Sequence, residues 1–324
     1  MPMIPPFPVR RERRDEGWVA TFQHRRVAGK YRILERLGEG GVADVYEGVH
    51  DEIGQRVAVK ILKRDFMRTP NVAERFLTEG RAASAVGHPG IVQVFDYGRL
   101  STGEPYLVME LLVGEDLYET LQRVKRFDVD RALGIMIHVL DALGAAHRAG
   151  VVHRDMKPEN IVITRGPGGE PWAKIIDFGI ARVVSGARPA TRRTAVGTLV
   201  GTPHYLSPEQ ARGELDIDAR ADIYSVGVML YEFLTGRLPF EGETAEEVAR
   251  RVVSDSFPKP RRLNPSIPLE LEQVILKATA KKREDRYPSA EDLAEALRPF
   301  KTESVRVRIL GDDEADDADE ISAL

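Results

Sequence analysis

His153-Arg154-Asp155-Met156-Lys157-Pro158-Glu159-Asn160, followed later by Asp177-Phe178-Gly179, holds the residues best suited to chemistry in this chain. Two carboxylates and a carboxamide at this spacing can hold metal-bound nucleotide phosphates beside a hydroxyl. Asp155 can accept the hydroxyl proton, a role in which reach comes before pKa. Asn160 and Asp177 are hard oxygen donors suited to Mg2+, with Mn2+ as the alternative ion. Lys157 can neutralise charge growing on a transferred phosphoryl group. His153 reads as a packing and hydrogen-bonding residue rather than a catalyst. A single Asp or Asn in a loop is usually a turn former. The case here rests on all these types occurring together and in this order.

Upstream, Gly38-Glu39-Gly40-Gly41-Val42-Ala43-Asp44-Val45 lies between two β-rich runs. Small residues there let backbone N–H groups approach phosphate oxygens. Alone, the cluster would read as a hairpin turn. Lys60, in Val57-Ala58-Val59-Lys60, lies on the third β-rich run. Its ammonium can bridge nucleotide phosphates and pair with a carboxylate on the following helix. Glu79 is the first choice for that partner and Glu74 the alternative.

These groups need a frame to position them. Residues 31–37, 42–49, 57–62, 91–97 and 106–112 read as strands. Residues 71–86 switch to helical spacing, with Val72, Phe76 and Ala83 inward. The expected fold class is α+β with two lobes. The first, residues 29–112, is a five-stranded antiparallel sheet with one main helix. The second, residues 113–300, is mostly helical, with helices near 131–148, 222–234, 244–253, 269–280 and 290–300. Short β segments at 161–163 and 174–176 flank the metal-binding candidates. Ser289 is placed to cap the last helix, with Asp292 three residues on. The chemistry falls between the lobes, a favoured place for ligands.

The chain has 324 residues, 42% hydrophobic and 30% charged, a composition that excludes a mostly disordered protein. Its formal charge of −4 gives no bulk basic character for nucleic acid. Seven of the acids lie in residues 311–324, and without them the charge becomes +3. Residues 301–324 are therefore expected to be an acidic, disordered tail. Residues 1–28, Pro-rich with Arg10, Arg11, Arg13 and Arg14, are expected to be a flexible extension. The absence of cysteine removes disulfides, thiolate metal sites and thiol nucleophiles. No apolar run approaches the ~18 residues of a membrane span, and prolines break the start of the chain where a signal peptide needs an apolar helix. A cytoplasmic location is the expectation.

Residues 31–300 as a whole resemble the eukaryotic-like (Hanks-type) Ser/Thr protein kinases, within them the bacterial branch. The His153–Asn160 stretch and Asp177-Phe178-Gly179 carry the likeness, with Met156 in a Leu slot, Ala43 in the third Gly slot, and Ser207-Pro208-Glu209 for Ala-Pro-Glu. The resemblance implies ATP as cofactor with Mg2+, and protein substrates as partners. It implies a nucleotide site of Gly38, Glu39, Gly40, Gly41, Val45, Ala58, Lys60, Glu110, Leu112 and Val162, with Met109 as gatekeeper. It makes Glu209 and Arg286 a structural pair, and Asp222 a brace for the catalytic loop. Lys157 with Thr202 matches the Ser/Thr-specific pattern. Arg154 would bind a phosphate on the activation loop, at Thr194 or alternatively Thr191 or Thr198, added in trans through self-association. The competing reading is a pseudokinase, a nucleotide-binding scaffold without catalysis. The presence of Lys60, Asp155, Asn160 and Asp177 argues against it.

Overall fold

Six antiparallel strands build the first lobe: β1 (Arg26–Val27), β2 (Tyr31–Glu39), β3 (Ala43–His50), β4 (Arg56–Leu62), β5 (Val94–Arg99) and β6 (Pro105–Glu110). Their spatial order is β1-β2-β3-β4-β6-β5. The structure is a computed structural model that describes residues 25–69, 72–166, 170–177 and 203–302, the side chain of Glu79 excepted.

Side chains alternate between the faces of a sheet, so strand parity decides what points at the cleft. In β4, Val57, Val59 and Ile61 join Ile33, Tyr46 and Val108 in a cluster on one face. Ala58 and Leu62 join Val45, Leu107, Met109 and Val162 in a cluster on the other. Lys60 shares the parity of Ala58 and Leu62. Every residue of β4 after Arg56 is buried, which explains the unbroken apolar run.

Helices α1 (Arg64–Met67) and α2 (Val72–Val86) follow β4. Helix α2 buries Phe76 and Ala83. It lies close on β6 because residue 80 is glycine: a Cβ there would stand 2.3 Å from Leu107 Cδ2.

The second lobe begins with β7 (Glu115–Asp116), α3 (Leu117–Val124), α4 (Val129–Arg148), β8 (Ile161–Arg165) and β9 (Pro171–Ile175). The three strands form a small antiparallel sheet. Helices α5 (Pro208–Ala211), α6 (Arg220–Thr235), α7 (Ala245–Ser254), α8 (Leu269–Ala278) and α9 (Ala290–Leu297) complete the lobe. Helix α6 is buried on all sides from Ala221 to Leu234, with Asp222, Ser225 and Glu232 among otherwise mostly apolar residues. Each of its large apolar side chains contributes roughly 2 kcal/mol by leaving water. The α6 helix ends at Gly236, whose φ of +71° few other residues adopt cheaply.

The expected two-lobed architecture is present, with short elements added to it, α1 and β7 among them. Arg26–Val27, placed by sequence in the extension, adds a sixth strand at the sheet edge. Helix α3 starts at Asp116, whose side chain accepts from Glu119 N at 2.8 Å. The four-residue helix α5 is fixed by a capping box between Ser207 and Gln210. Elements this short show no period in a sequence. The cap at Ser289 is made as expected, its hydroxyl accepting from Asp292 N at 3.1 Å.

Beneath α5, Arg286 grips Glu209 with two hydrogen bonds of 2.7 Å. Both residues are buried. Arg286 also donates to Ala280 O and Arg220 O, so its fork is filled. Burial pushes the Glu209 carboxyl up, but the Arg286 hydrogen bonds outweigh it and hold it below the usual range. Removing one partner strands the other charge in the core. Arg286→Ala is expected to cost about 3–5 kcal/mol in urea unfolding, and Arg286→Lys to recover little because lysine lacks the planar fork.

Candidate active site

The loop between α4 and β8 is held from below by one side chain. Asp222, in the first turn of α6, is fully buried. Its Oδ2 accepts from His153 N at 2.8 Å and its Oδ1 from Arg154 N at 2.7 Å. His147 Nε2, from the end of α4, lies 2.8 Å from the same Oδ2. These bonds hold Arg154 at φ +66°, a strained conformation for a non-glycine residue. Gln210 Nε2 donates to Arg154 O at 2.8 Å, so the strained peptide is clamped at both ends. His153 is fully buried, and burial lowers its pKa. Its Nδ1 accepts from Asp155 N at 3.3 Å.

Above that clamp the reactive groups converge. Lys157 Nζ lies 3.1 Å from Asp155 Oδ2. Asn160 Nδ2 donates to Asp155 O at 2.7 Å, which turns its carboxamide oxygen away. Asn160 Oδ1 is buried with no hydrogen-bond partner. An orphaned hard oxygen of this kind suits a Mg2+ ligand. Asp177, just past β9, is the second donor. Among the described residues no group of three or more His, Asp or Glu could hold a metal alone. Mg2+ bound here would complete its shell with water and phosphate oxygens, its usual habit.

The first lobe delivers the other half. Lys60 Nζ reaches Asp177 Oδ1 at 2.7 Å across the cleft. Val45, Ala58, Met109, Leu112 and Val162 belong to one buried cluster. The structure thus brings together residues from both lobes that the sequence named separately. In the glycine segment, Gly40 N donates to Ala43 O at 3.0 Å. A Cβ on Gly40 would stand 2.6 Å from that oxygen, so the tight turn requires glycine. Gly38 pairs with Val45 across the β2–β3 ladder, and Gly41 lies in the connection. The Glu39 side chain is tied to Lys63 and Arg36, leaving only its backbone for a phosphate.

Glu110 shows a use that the sequence did not suggest. Its carboxylate binds Lys174 Nζ at 2.6 Å and accepts from Gln93 N at 2.8 Å. Its side chain therefore fastens β6 to β9. Glu74 is exposed and forms no ion pair among the described residues. The Glu79 side chain, Thr202, Thr191, Thr194 and Thr198 lie outside the described residues.

The sequence reading also missed an acidic pair. Tyr205 OH donates to Glu232 Oε2 at 2.6 Å, and Glu159 acts on Glu232 through its charge. A charged residue inside the apolar run of α6 was the available signal.

The family model for the protein kinase domain matches residues 31–297. Serine/threonine-protein kinase Pkn1 of Myxococcus xanthus is 42% identical over 281 residues, covering 86% of this chain and 39% of that protein. Serine/threonine-protein kinase PrkC of Bacillus subtilis is 40% identical over 269 residues, covering 83% of this chain and 40% of that protein. The chain thus spans about two fifths of the length of these curated relatives. The crystal structure of the Mycobacterium tuberculosis PknI kinase domain superposes with a TM-score of 0.67 at 25% identity, covering 86% of this chain and 99% of that one.

Burial pushes the Glu232 carboxyl up to about 7, against an ordinary value of 4.5. A raised carboxyl pKa stabilises the fold at low pH and loses that contribution as pH rises through the folded value. Glu232→Gln should therefore gain stability relative to the parent between pH 5 and pH 8, by roughly 3 kcal/mol at most. Urea unfolding of both proteins across that range checks this. A constant difference would mean that Glu232 does not titrate there.

Proposed function

The chain belongs to the bacterial branch of the Hanks-type Ser/Thr protein kinases, and on that premise we propose that it transfers the γ-phosphoryl group of ATP to Ser and Thr hydroxyls of proteins. The observation that carries this reading is the convergence of Asp155, Lys157, Asn160, Asp177 and Lys60 from two lobes into one cleft.

Each side chain has a definable task. Asp155 orients the acceptor hydroxyl and takes its proton as the bond to phosphorus forms. Its backbone is fixed by Asn160, His153 and the Asp222 clamp, and positioning of this kind is most of the catalysis in phosphoryl transfer. Lys157, on Asp155, lies where it can offset charge on the moving group. Lys60 would hold the phosphates of the nucleotide. Asn160 and Asp177 would hold Mg2+, which supplies charge neutralisation at the phosphates when bound. The backbone around Gly38–Gly41 would cover the phosphates, and that of Glu110–Leu112 would hold adenine between Val45, Ala58 and Val162.

Arg154 supports a gated activity. Its guanidinium donates to Ile217 O at 3.1 Å and forms no ion pair among the described residues. A phosphothreonine on the segment carrying Thr191, Thr194 and Thr198 would supply a matching anion. We assign that phosphate to trans autophosphorylation between copies, with Thr194 as the leading site. Thr202 would join Lys157 in fixing the acceptor as Ser or Thr.

Purified protein with labelled ATP and Mg2+ should phosphorylate itself and a generic basic protein. Asp155→Asn should lower transfer at least about 100-fold, the scale of losing a positioned base. Absence of transfer by the parent, whatever its phosphorylation state, would leave a nucleotide-binding scaffold. A separate measurement tests the gate: Thr194→Ala should lower activity, and Arg154→Ala should make activity insensitive to phosphate at Thr194. Full activity in Thr194→Ala would remove the gate and leave the kinase reading intact.

A further inference from the structure

The carboxamide of Gln210 makes bonds at both ends, and helix capping accounts for one end only. Its Oε1 accepts from Ser207 N and from Ser207 Oγ, each at 3.1 Å. These bonds belong to the capping box that starts α5. The box needs an acceptor at this position, and glutamate serves it as well as glutamine. A carboxylate in the first turn of a helix is also favoured by the backbone dipoles. Glutamine differs in one respect: it carries a donor beside the acceptor. With Oε1 turned to Ser207, Nε2 faces the other way and donates to Arg154 O at 2.8 Å.

That bond falls on the peptide that carries the proposed base. Arg154 O and Asp155 N belong to one planar unit, so neither turns without the other. Asp222 holds the two N–H groups before this unit, those of His153 and Arg154. Asn160 holds the carbonyl after it. On the unit itself, Asp155 N donates to His153 Nδ1 at 3.3 Å, a long bond that gives weak direction. The bond from Gln210 is the shorter of the two. Arg154 stands at φ +66°, a conformation that persists only while its surroundings enforce it. Rotation of the Arg154–Asp155 unit is the motion that Gln210 opposes. That rotation would take Asp155 N off His153 and shift the carboxylate, and a shift of about 1 Å at a reacting centre can cost on the order of 100-fold in rate.

Gln210 follows Glu209, whose carboxylate Arg286 grips in the core, so its own backbone is well anchored. We propose that Gln210 is a positioning residue for the proton acceptor. Its amide donor, carried on α5, holds the Arg154–Asp155 peptide in the orientation from which Asp155 meets the acceptor hydroxyl. This rests on the kinase reading above and adds to it a residue outside the catalytic loop.

The test is kinetic and uses the full chain, with phosphate content matched by mass spectrometry. Gln210→Glu keeps the acceptor for Ser207 and sets a second oxygen against Arg154 O. It should lower kcat on a basic protein substrate about tenfold or more, the scale of one hydrogen bond lost and a repulsion gained. KM for ATP should stay at the parent value. Gln210→Met, of similar length and without a donor, should lower kcat in the same way, and it carries the test if the glutamate variant does not fold. Ser207→Ala removes the cap hydroxyl but leaves the backbone N–H on Oε1. It should lower the urea midpoint, as loss of a cap does, and keep kcat near the parent. Parent kcat in the Gln210 variants overturns the proposal. An equal loss of kcat in Ser207→Ala overturns it too, because capping would then be the cause. No transfer by the unaltered protein overturns the kinase reading itself, and the proposal falls with it.

Discussion

Asp222 accepts hydrogen bonds from two consecutive backbone N–H groups of the catalytic loop. A loop free to relax would not keep Arg154 at positive φ, because each non-glycine residue there costs of order 1–3 kcal/mol. The cost is met by charge-assisted bonds to a carboxylate that cannot move. It cannot move because α6 is packed on every side, and because His147 closes on it from α4. Everything above the loop inherits this rigidity. Asp155 takes its backbone orientation from it, and Asn160 then fastens to Asp155.

The second lobe alone would leave half a site. Lys60 reaches Asp177 from a strand whose alternate residues pack on opposite faces of the sheet. The apolar cluster on the cleft side contains residues of both lobes, including Val162 and Ile176. Glu110 and Lys174 add a polar tie between β6 and β9. Charge and burial have different jobs here. The apolar cluster supplies cohesion without direction, while the ion pairs fix which atoms face each other. For the proposed phosphoryl transfer, in which alignment would dominate, the second contribution is the one that matters.

Much of the frame was legible in the sequence. The strands from β2 to β6 and helices α2, α4 and α6 through α9 stood out because their apolar periods extend over many residues. Their ends shifted by a few residues: the run near 91 enters the sheet only at Val94, after Ile91 has bridged to Ile175 instead. The elements that escaped notice, β1, α1, α3, β7 and α5, are short and owe their form to caps and neighbours. At the site, Asp155, Lys157, Asn160 and Asp177 were legible as a group because they lie within 23 positions of one another. The acidic pair was not, because its members are 73 positions apart and neither completes a recognised pattern.

The sequence by itself determined the residue types, their order and the parity of β4, and therefore the chemistry available and the face that would carry Lys60. These are local properties, written within a few positions by strand alternation and loop spacing. Tertiary structure decided the partners. It turned the Glu110 side chain to Lys174, gave Asp222 a third contact in His147, and put the Tyr205 hydroxyl on Glu232. Lys60 and Asp177 stand 117 positions apart. Side chains so far apart meet only after packing has fixed both backbones, and no local spacing encodes that distance.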